Sequence, residues 1–112
     1  MMGDIYVVNY KKFDRGDAVG ICENIMRPSD LGNPFKMDDE GQREIVVRQF
    51  YHYLRKEYQK KGKVYEKLMY LSKKVMEGED LYLICCCSPK LCHGDIIKNA
   101  LIGIINNEIK KN

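Results

Sequence analysis

The chain has 112 residues, of which 45% are hydrophobic and 31% are charged. This length suits one domain around a single core. The composition is typical of globular proteins, which excludes disordered and fibrous classes. No apolar run approaches the ~20 residues that a membrane-spanning helix requires. We therefore interpret residues 1–112 as a single globular domain that does not cross a membrane.

The net charge of +3 is too small to indicate nucleic-acid binding by itself. The first residues, M-M-G-D-I, lack the basic and apolar regions of a signal peptide. Three of the five cysteines are consecutive, and neighbouring cysteines on a strand point to opposite faces, where they pair with difficulty. The sequence therefore predicts a cytoplasmic protein with reduced thiols.

The beginning of the chain contains two short stretches that are typical of strands. I-Y-V-V-N, residues 5–9, is apolar and rich in β-branched side chains. F-D-R-G-D follows as a turn, with Gly16 between charged residues. Residues 19–26 form a weaker candidate, because a glycine and two polar residues dilute the pattern. We expect the two strands to form a hairpin.

Residues 27–35, R-P-S-D-L-G-N-P-F, have the composition of a turn throughout, which excludes a helix or a central strand. Pro28 and Pro34 each fix one backbone φ angle, so this segment is stiff. A stiff segment loses little conformational entropy when a ligand binds against it. We call residues 27–35 the R-P-S loop.

Two amphipathic helices are predicted next. Residues 40–58 carry apolar side chains at helical spacing, and basic residues with a glycine, K-K-G-K, follow where this helix ends. Residues 64–76 repeat the helical pattern, and Gly78 follows. The apolar positions are Val47, Phe50, Tyr51, Leu54 and Tyr58 in the first helix, and Val64, Leu68, Leu71 and Val75 in the second.

The last third of the chain predicts a strand and a helix. Residues 81–87, L-Y-L-I-C-C-C, are continuously apolar, which indicates a central strand covered by helices. Residues 94–110 are apolar over a wide arc, which indicates a largely buried helix. The order β-β-α-α-β-α indicates a small α/β domain, with a short, partly parallel sheet flanked by helices.

The segment C-C-C-S-P-K-L-C-H-G-D, residues 85–95, joins this strand to the last helix. In open α/β sheets, ligands bind where strands end and helices begin. The first amides of a helix lack intrahelical partners and carry partial positive charge, so we expect an anion site near Gly94. Gly94 would also let a ligand approach the backbone closely. The negative charge of Asp95 suits it better to capping the helix than to binding an anion.

Four interpretations of these cysteines and His93 stay open. Cys92 is a candidate reactive thiol and His93 a candidate proton carrier, which together predict an enzyme acting on a nucleotide. The pattern C-x-C-x4-C-H supplies four possible zinc ligands at a spacing unlike that of separated zinc knuckles. Alternatively, the cysteines fill the core and His93 caps the helix. The fourth interpretation is a pocket for an anionic, nucleotide-like ligand. The zinc ligands would be Cys85, Cys87, Cys92 and His93.

The two motifs together resemble an uncharacterised family of small bacterial and bacteriophage proteins with a domain-of-unknown-function label. Its pattern is R-P-S, one or two variable residues, G-N-P-F, a helix, and then C-x-C-x-P-x-x-C-H-G-D. The family often has tryptophan at the position of Cys86. The resemblance covers about residues 26–100 and implies a Rossmann-like α/β unit, but no known reaction. It also implies one site formed by Arg27, Ser29, Asn33, Cys85, Cys87, Cys92, His93 and Asp95.

The leading hypothesis from the sequence is a binding protein that uses no cofactor. The R-P-S loop and the start of the last helix are expected to form opposite walls of one pocket for an anionic nucleotide or ADP-ribose-like signal. Arg27 would pair with a phosphate, and Ser29 and Asn33 would bond a ribose or a phosphate. The amides near Gly94, with His93 beside them, would hold a second anionic group.

The expected partners follow from this hypothesis. A phage origin would suggest capture of a host nucleotide signal in the host cytoplasm, by analogy alone. We expect a homo-oligomer, because a domain of this size gains pocket walls from a second copy. We expect no membrane partner and no specific nucleic-acid partner.

Overall fold

The computed structural model describes residues 2–86 and 90–111. In these ranges the chain forms three strands and three α-helices, joined by turns that include two short 3-10 helices. No helix in the same ranges combines the length and apolar character that crossing a bilayer requires. The elements are β1 (Ile5–Asn9), β2 (Ile21–Asn24), α1 (Arg43–Lys60), α2 (Lys63–Met76), β3 (Leu81–Cys85) and α3 (His93–Lys111).

The predicted α/β class and element order are confirmed, with shifts at some element ends. The first helix begins at Arg43 because residues 40–42 form a 3-10 turn, in which the Asp39 carboxylate accepts a hydrogen bond from the Gly41 amide at 2.8 Å. The predicted strand over residues 81–87 ends at Cys85. Cys87, which the sequence places on that strand, lies outside the described residues.

The sheet has the order β1-β3-β2, and β3 pairs in parallel with both neighbours. Ile5 and Ile21 both lie opposite Leu81. The predicted hairpin is therefore wrong: residues 10–20 carry the chain past β3 to the far edge of the sheet. The physical reason is that the continuously apolar β3 is best buried in the centre, whereas the more polar β2 tolerates an edge.

All three helices pack on one face of the sheet. The sheet residues that enter the main hydrophobic core alternate along the strands and point to the same side. They meet a layer formed by α1, α2 and α3, whose most deeply buried side chains include Phe50, Leu71 and Leu101. The core residues of the sheet are Ile5, Leu81, Leu83 and Cys85, with Val7 and Ile21 packed against them.

The side of β3 that faces away from the helices is covered by aromatic side chains and by the connection over residues 10–20. Tyr82 stacks on Tyr6 of β1, with ring centroids 5.1 Å apart. The ring of Phe13 lies 5.0 Å from that of Tyr82, so the connection over residues 10–20 crosses this side. The expectation that helices cover both faces of the central strand is wrong, because a short irregular connection takes the second face.

Candidate functional site

The two sequence motifs meet at the carboxyl edge of the sheet. The R-P-S loop follows β2, and the Ile25 amide donates a hydrogen bond to the carbonyl oxygen of Ile84 in β3 at 3.0 Å. The Tyr10 amide, just beyond β1, donates to the carbonyl oxygen of Cys85 at 2.9 Å. Because α3 begins after β3 ends, its first residues lie at the same edge as the ends of all three strands.

Cys92 is the residue that caps α3. Its sulfur accepts a hydrogen bond from the Gly94 amide at 3.3 Å, and its own amide donates to Asp95 Oδ2 at 3.1 Å. Cys92 thus caps the amide of the second helical residue, while Asp95, the third, bonds back to the Cys92 amide as in a capping box. The Asp95 amide also donates to the Cys92 carbonyl oxygen at 3.1 Å. Asp95 thus caps the helix as expected, and the amides of Gly94 and Asp95 both have partners within the cap.

Gly94 is required by close packing of the helix on the sheet. A Cβ atom at this position would lie 2.8 Å from Val7 Cγ1 and 3.0 Å from Ile25 Cδ1. Both distances are shorter than ordinary van der Waals contacts, so any side chain would push α3 away from β1 and the end of β2. Close packing of Val7 and Ile25 thus accounts for glycine at this position.

Cys85 and Cys92 form a buried sulfur pair beneath this cap. Their relative exposures are 0% and 2%, and their sulfur atoms are 3.5 Å apart. That distance exceeds the ~2.05 Å of a disulfide bond, so the pair is held as two thiols in contact. Cys86, directly beyond the end of β3, is exposed. The described residues contain no cluster of three metal-ligating side chains, and the predicted zinc ligand Cys87 lies outside them.

His93 is buried at the point where the two motifs touch. Its Nε2 lies 2.7 Å from the Ile25 carbonyl oxygen, and its ring meets Phe50 edge to face at 5.0 Å. Burial is the main cause that lowers the pKa of His93, and the nearby charge of Arg27 lowers it further. The Ile25 hydrogen bond and the Asp95 carboxylate oppose this shift. The side chain is therefore a neutral imidazole at neutral pH.

The polar side chains of the R-P-S loop hold the loop itself in shape. Ser29 Oγ accepts a hydrogen bond from the Leu31 amide at 3.1 Å, and Asn33 Oδ1 accepts one from the Phe35 amide at 2.9 Å. Arg27 donates through Nη1 to the Asn33 carbonyl oxygen at 3.0 Å. Side-chain bonds of this kind stabilise turns, and here they orient the exposed Arg27 guanidinium.

A cleft of about 450 Å³ opens beneath this loop, and we call it the R-P-S cleft. Its far wall is formed by α1 and the start of α2. Arg27 and Ser29 line the cleft, whereas Asn33, His93, Gly94 and Asp95 do not. The lining residues are Arg27, Pro28, Ser29, Asp30, Gly32, Pro34, Tyr53, Glu57, Lys63 and Val64.

Tyr53 and Lys63 are cleft residues that sequence reasoning missed. Tyr53 lies on α1, with its ring edge-on to Phe35 at 6.0 Å. Burial raises the pKa of its hydroxyl, and the charge of Glu57 adds to this effect. Lys63 is the first residue of α2, directly after Gly62. The sequence does predict that Tyr53 and Lys63 lie on two helices joined by a short turn. It does not predict how α1 packs against α2, and this packing brings both residues under the loop.

Arg43 connects the start of α1 to the segment that precedes α3 by hydrogen bonds. It donates to Glu40 through Nε at 2.8 Å and Nη2 at 2.7 Å, and through Nη1 to the Leu91 carbonyl oxygen at 3.0 Å. These bonds from Arg43 lower the pKa of Glu40 to about 2, and Lys90 contributes as well. The start of α1 is thus tied to the residue that precedes the Cys92 cap.

A larger cleft of about 630 Å³ lies between α1 and α3, away from both motifs. Its floor is largely apolar and includes Leu54 and Ile104. At its rim, Arg55 donates to the Tyr51 hydroxyl at 2.9 Å. The R-P-S cleft is smaller, but residues of the R-P-S motif line it, whereas no residue of either motif lines the larger cleft.

The comparisons with known proteins bear on the family and not on the reaction. A search of curated proteins and a search of solved structures each give no match. A scan against protein-family models matches residues 8–103 to the family described as "Domain of unknown function (DUF4326)". The matched residues include the R-P-S loop and the start of α3. The chain therefore belongs to the DUF4326 family, a domain of unknown function.

Proposed function

We propose that this protein binds an anionic, nucleotide-type small molecule in the R-P-S cleft. The observation that carries the proposal is the joint presence of Arg27, Lys63 and Tyr53 around one cavity of about 450 Å³. That volume falls within the ~300–1,000 Å³ typical of small-molecule sites. Two cations and an aromatic ring at one cavity suit a ligand with a phosphate and a base.

Arg27 is the residue that we assign to the phosphate. Only Nη1 is used in bonding the Asn33 carbonyl oxygen. A guanidinium has five N–H donors, so further donors are available for a bidentate bond to phosphate oxygens. Lys63 is exposed at the opposite wall and contributes a second positive charge.

The base and sugar of the ligand would meet the other wall. Tyr53 offers an aromatic ring for stacking, a contact worth about 1–3 kcal/mol per base in other proteins. Asp30 and Glu57 also line the cleft, and their carboxylates can accept hydrogen bonds from ribose hydroxyls or a base amino group. These acidic groups favour a nucleotide over inorganic phosphate, because a nucleotide offers them ribose hydroxyl and base amino donors.

The loop is ordered before any ligand arrives, which favours binding. Pro28 and Pro34 restrict the backbone, and the side chains of Ser29 and Asn33 bond to amides two residues ahead. A wall that is already fixed loses less entropy on binding than a mobile one. Ser29 and Asn33 are thus assigned to shaping the wall, and Arg27 to contacting the ligand.

Thermal unfolding with a ligand panel tests the proposal. The panel contains nucleoside monophosphates, cyclic dinucleotides and ADP-ribose, with inorganic phosphate as a control. A ligand that binds the folded state raises the melting temperature. We expect a shift with at least one nucleotide, a smaller shift in Lys63→Ala and none in Arg27→Ala. Lys56→Ala removes an exposed lysine of α1 outside the cleft and serves as the matched control.

Two results would count against the proposal: no shift with any phosphate-bearing ligand, or a shift that Arg27→Ala and Lys63→Ala both leave intact. The same incubations, examined for reaction products, test the enzyme hypothesis. Turnover that is lost in Cys92→Ser would replace binding with catalysis. Elemental analysis of protein purified without a metal-binding tag tests the zinc hypothesis.

A further inference from the structure

The face of the sheet opposite the helices carries an aromatic cluster. By alternation along the strands, this face presents Tyr6 and Val8 from β1, Cys22 from β2, and Tyr82 and Ile84 from β3. Tyr6 and Tyr82 stack with an interplanar angle of 18°, and Phe13 lies against Tyr82. We call these five sheet residues, with Phe13, the second sheet face.

Parallel sheets are almost always covered on both faces. The cover of the second sheet face is a single irregular connection, residues 10–20, and it leaves apolar groups in solvent. Tyr6 is 41% exposed, and Tyr10 and Val19 on the connection are 47% and 84% exposed. Exposed apolar side chains on a sheet face and on the connection that covers it are typical of a surface that another molecule covers.

Charge is distributed unequally between the two ends of this face. Asp4 and Asp80 lie at the amino ends of β1 and β3, where the Asp80 carboxylate accepts a hydrogen bond from the Asp4 amide at 2.8 Å. Lys11 and Lys12 lie beyond the carboxyl end of β1, directly before Phe13. One end of the second sheet face is therefore acidic, and the other end has two neighbouring lysines.

We propose that the second sheet face is the interface of a symmetric homodimer. A two-fold axis that lies in the interface and runs across the strands places two copies of this face in contact with their strands antiparallel. The acidic end of each copy then lies over the lysine end of the other. The exposed Tyr6 ring and the covering connection of each copy then lie in the contact, where their apolar groups are removed from water.

A second copy fits this face better than a nucleic acid. Nucleic acids are polyanions and select surfaces of uniform positive charge, whereas Asp4 lies next to the exposed Tyr6. The Tyr6 hydroxyl is 3.4 Å from Asp4 Oδ2, so a phosphate stacked beside this ring would meet a carboxylate. A face with opposite charges at its two ends is complementary to itself in the antiparallel arrangement.

Sedimentation velocity over a wide range of protein concentrations, without ligand, is the experiment that tests the dimer. We expect reversible dimerisation by the wild-type chain. Tyr6→Glu replaces an exposed aromatic ring of the interface by a charge beside Asp4 that contact with the second copy must remove from water, and it should raise the dimer dissociation constant at least about tenfold. The matched control is Tyr70→Glu, which changes a tyrosine of α2 that is 49% exposed and lies on the helical side.

A second variant keeps the test independent of any effect of Tyr6→Glu on folding. Lys11→Glu combined with Lys12→Glu changes two exposed side chains, and should weaken the dimer by placing like charges opposite Asp4 and Asp80. A monomer at every concentration would overturn the proposal, as would a dimer that both variants leave intact or that Tyr70→Glu weakens equally. Ligand binding is measured separately, so neither proposal depends on the other.

Discussion

His93 Nε2 lies 2.7 Å from the carbonyl oxygen of Ile25, and this contact joins the start of α3 to the chain that leaves β2. A carbonyl oxygen only accepts hydrogen bonds, so Nε2 carries the proton and Nδ1 has the lone pair. The Phe50 ring packs edge-on against the same imidazole. One neutral side chain thus connects the two motifs through the backbone of Ile25.

Stability should fall in mildly acidic solution because of His93. Burial holds the folded-state pKa of His93 below its ordinary value of 6.5, while Arg27 and Asp95 are the charged groups that influence it. The unfolded chain then takes up the proton at a higher pH than the folded chain. The free energy of unfolding should therefore decrease as the pH falls below about 6.5, and level off below the folded-state pKa.

Urea unfolding between pH 7.5 and pH 5 measures this effect. His93→Gln removes the titrating group, so its unfolding free energy should depend less on pH in this range than that of the wild type. His52→Gln, at the exposed histidine of α1, should retain the wild-type dependence. Identical pH profiles for the wild type and His93→Gln would contradict the assignment.

Two glycines of α3 should respond to alanine in opposite directions. Gly94→Ala places a methyl group 2.8 Å from Val7 Cγ1 and should lower the free energy of unfolding by about 1–3 kcal/mol. A Cβ atom at Gly103 meets nothing within 4 Å. Gly103→Ala should therefore raise the free energy of unfolding by about 0.5–1 kcal/mol through helix propensity. Chemical denaturation of both variants checks the pair, and a stable Gly94→Ala protein would disprove the packing role.

Ser72→Ala should stabilise the protein. Ser72 is 1% exposed on α2, and its hydroxyl has no hydrogen-bond partner among the described residues. Alanine removes a buried polar group and favours the helix, so the free energy of unfolding should rise by about 0.5–1 kcal/mol. Ser29→Ala should have the opposite effect. It removes the hydroxyl oxygen that accepts a hydrogen bond from the Leu31 amide, so the free energy of unfolding should fall. Equal effects of the two changes would contradict this prediction.

Because Cys92 caps α3, we expect Cys92→Ser to destabilise the protein less than Cys92→Ala. Serine is a preferred cap residue and can still accept the hydrogen bond from the Gly94 amide. Alanine cannot, and the loss of a cap costs about 0.5–2 kcal/mol. We expect the melting temperature to follow the order wild type, Cys92→Ser, Cys92→Ala. If Cys92→Ala is at least as stable as Cys92→Ser, the sulfur does not act as a cap.

Local sequence patterns predicted the helices and the strand of residues 81–85 because periodicity reports which side of an element is buried. The same patterns do not report which strand pairs with which. A hairpin and a parallel crossover both fit the sequence of residues 5–24, and the choice between them was made by β3, which is distant in sequence. The hairpin prediction failed for this reason.

The candidate site was partly predictable for a similar reason. R-P-S and C-H-G-D identified the carboxyl edge of the sheet, since turn residues and helix starts are local features. Asp95 was expected as a cap and acts as one. Tyr53 and Lys63 were missed because their place in the R-P-S cleft depends on how α1 packs against α2. The capping role of Cys92 was missed because cysteine is not among the usual cap residues.

The central position of β3 has a consequence for how the chain folds. Both edge strands lie within the first 24 residues, and neither pairs with the other. During synthesis they leave the ribosome first and have no strand to pair with until Leu81–Cys85 follows, after α1 and α2. Helix pairing can proceed early, but the sheet can form only late, through contacts distant in sequence. Such contacts slow folding and leave unpaired strand edges exposed to other chains in the meantime.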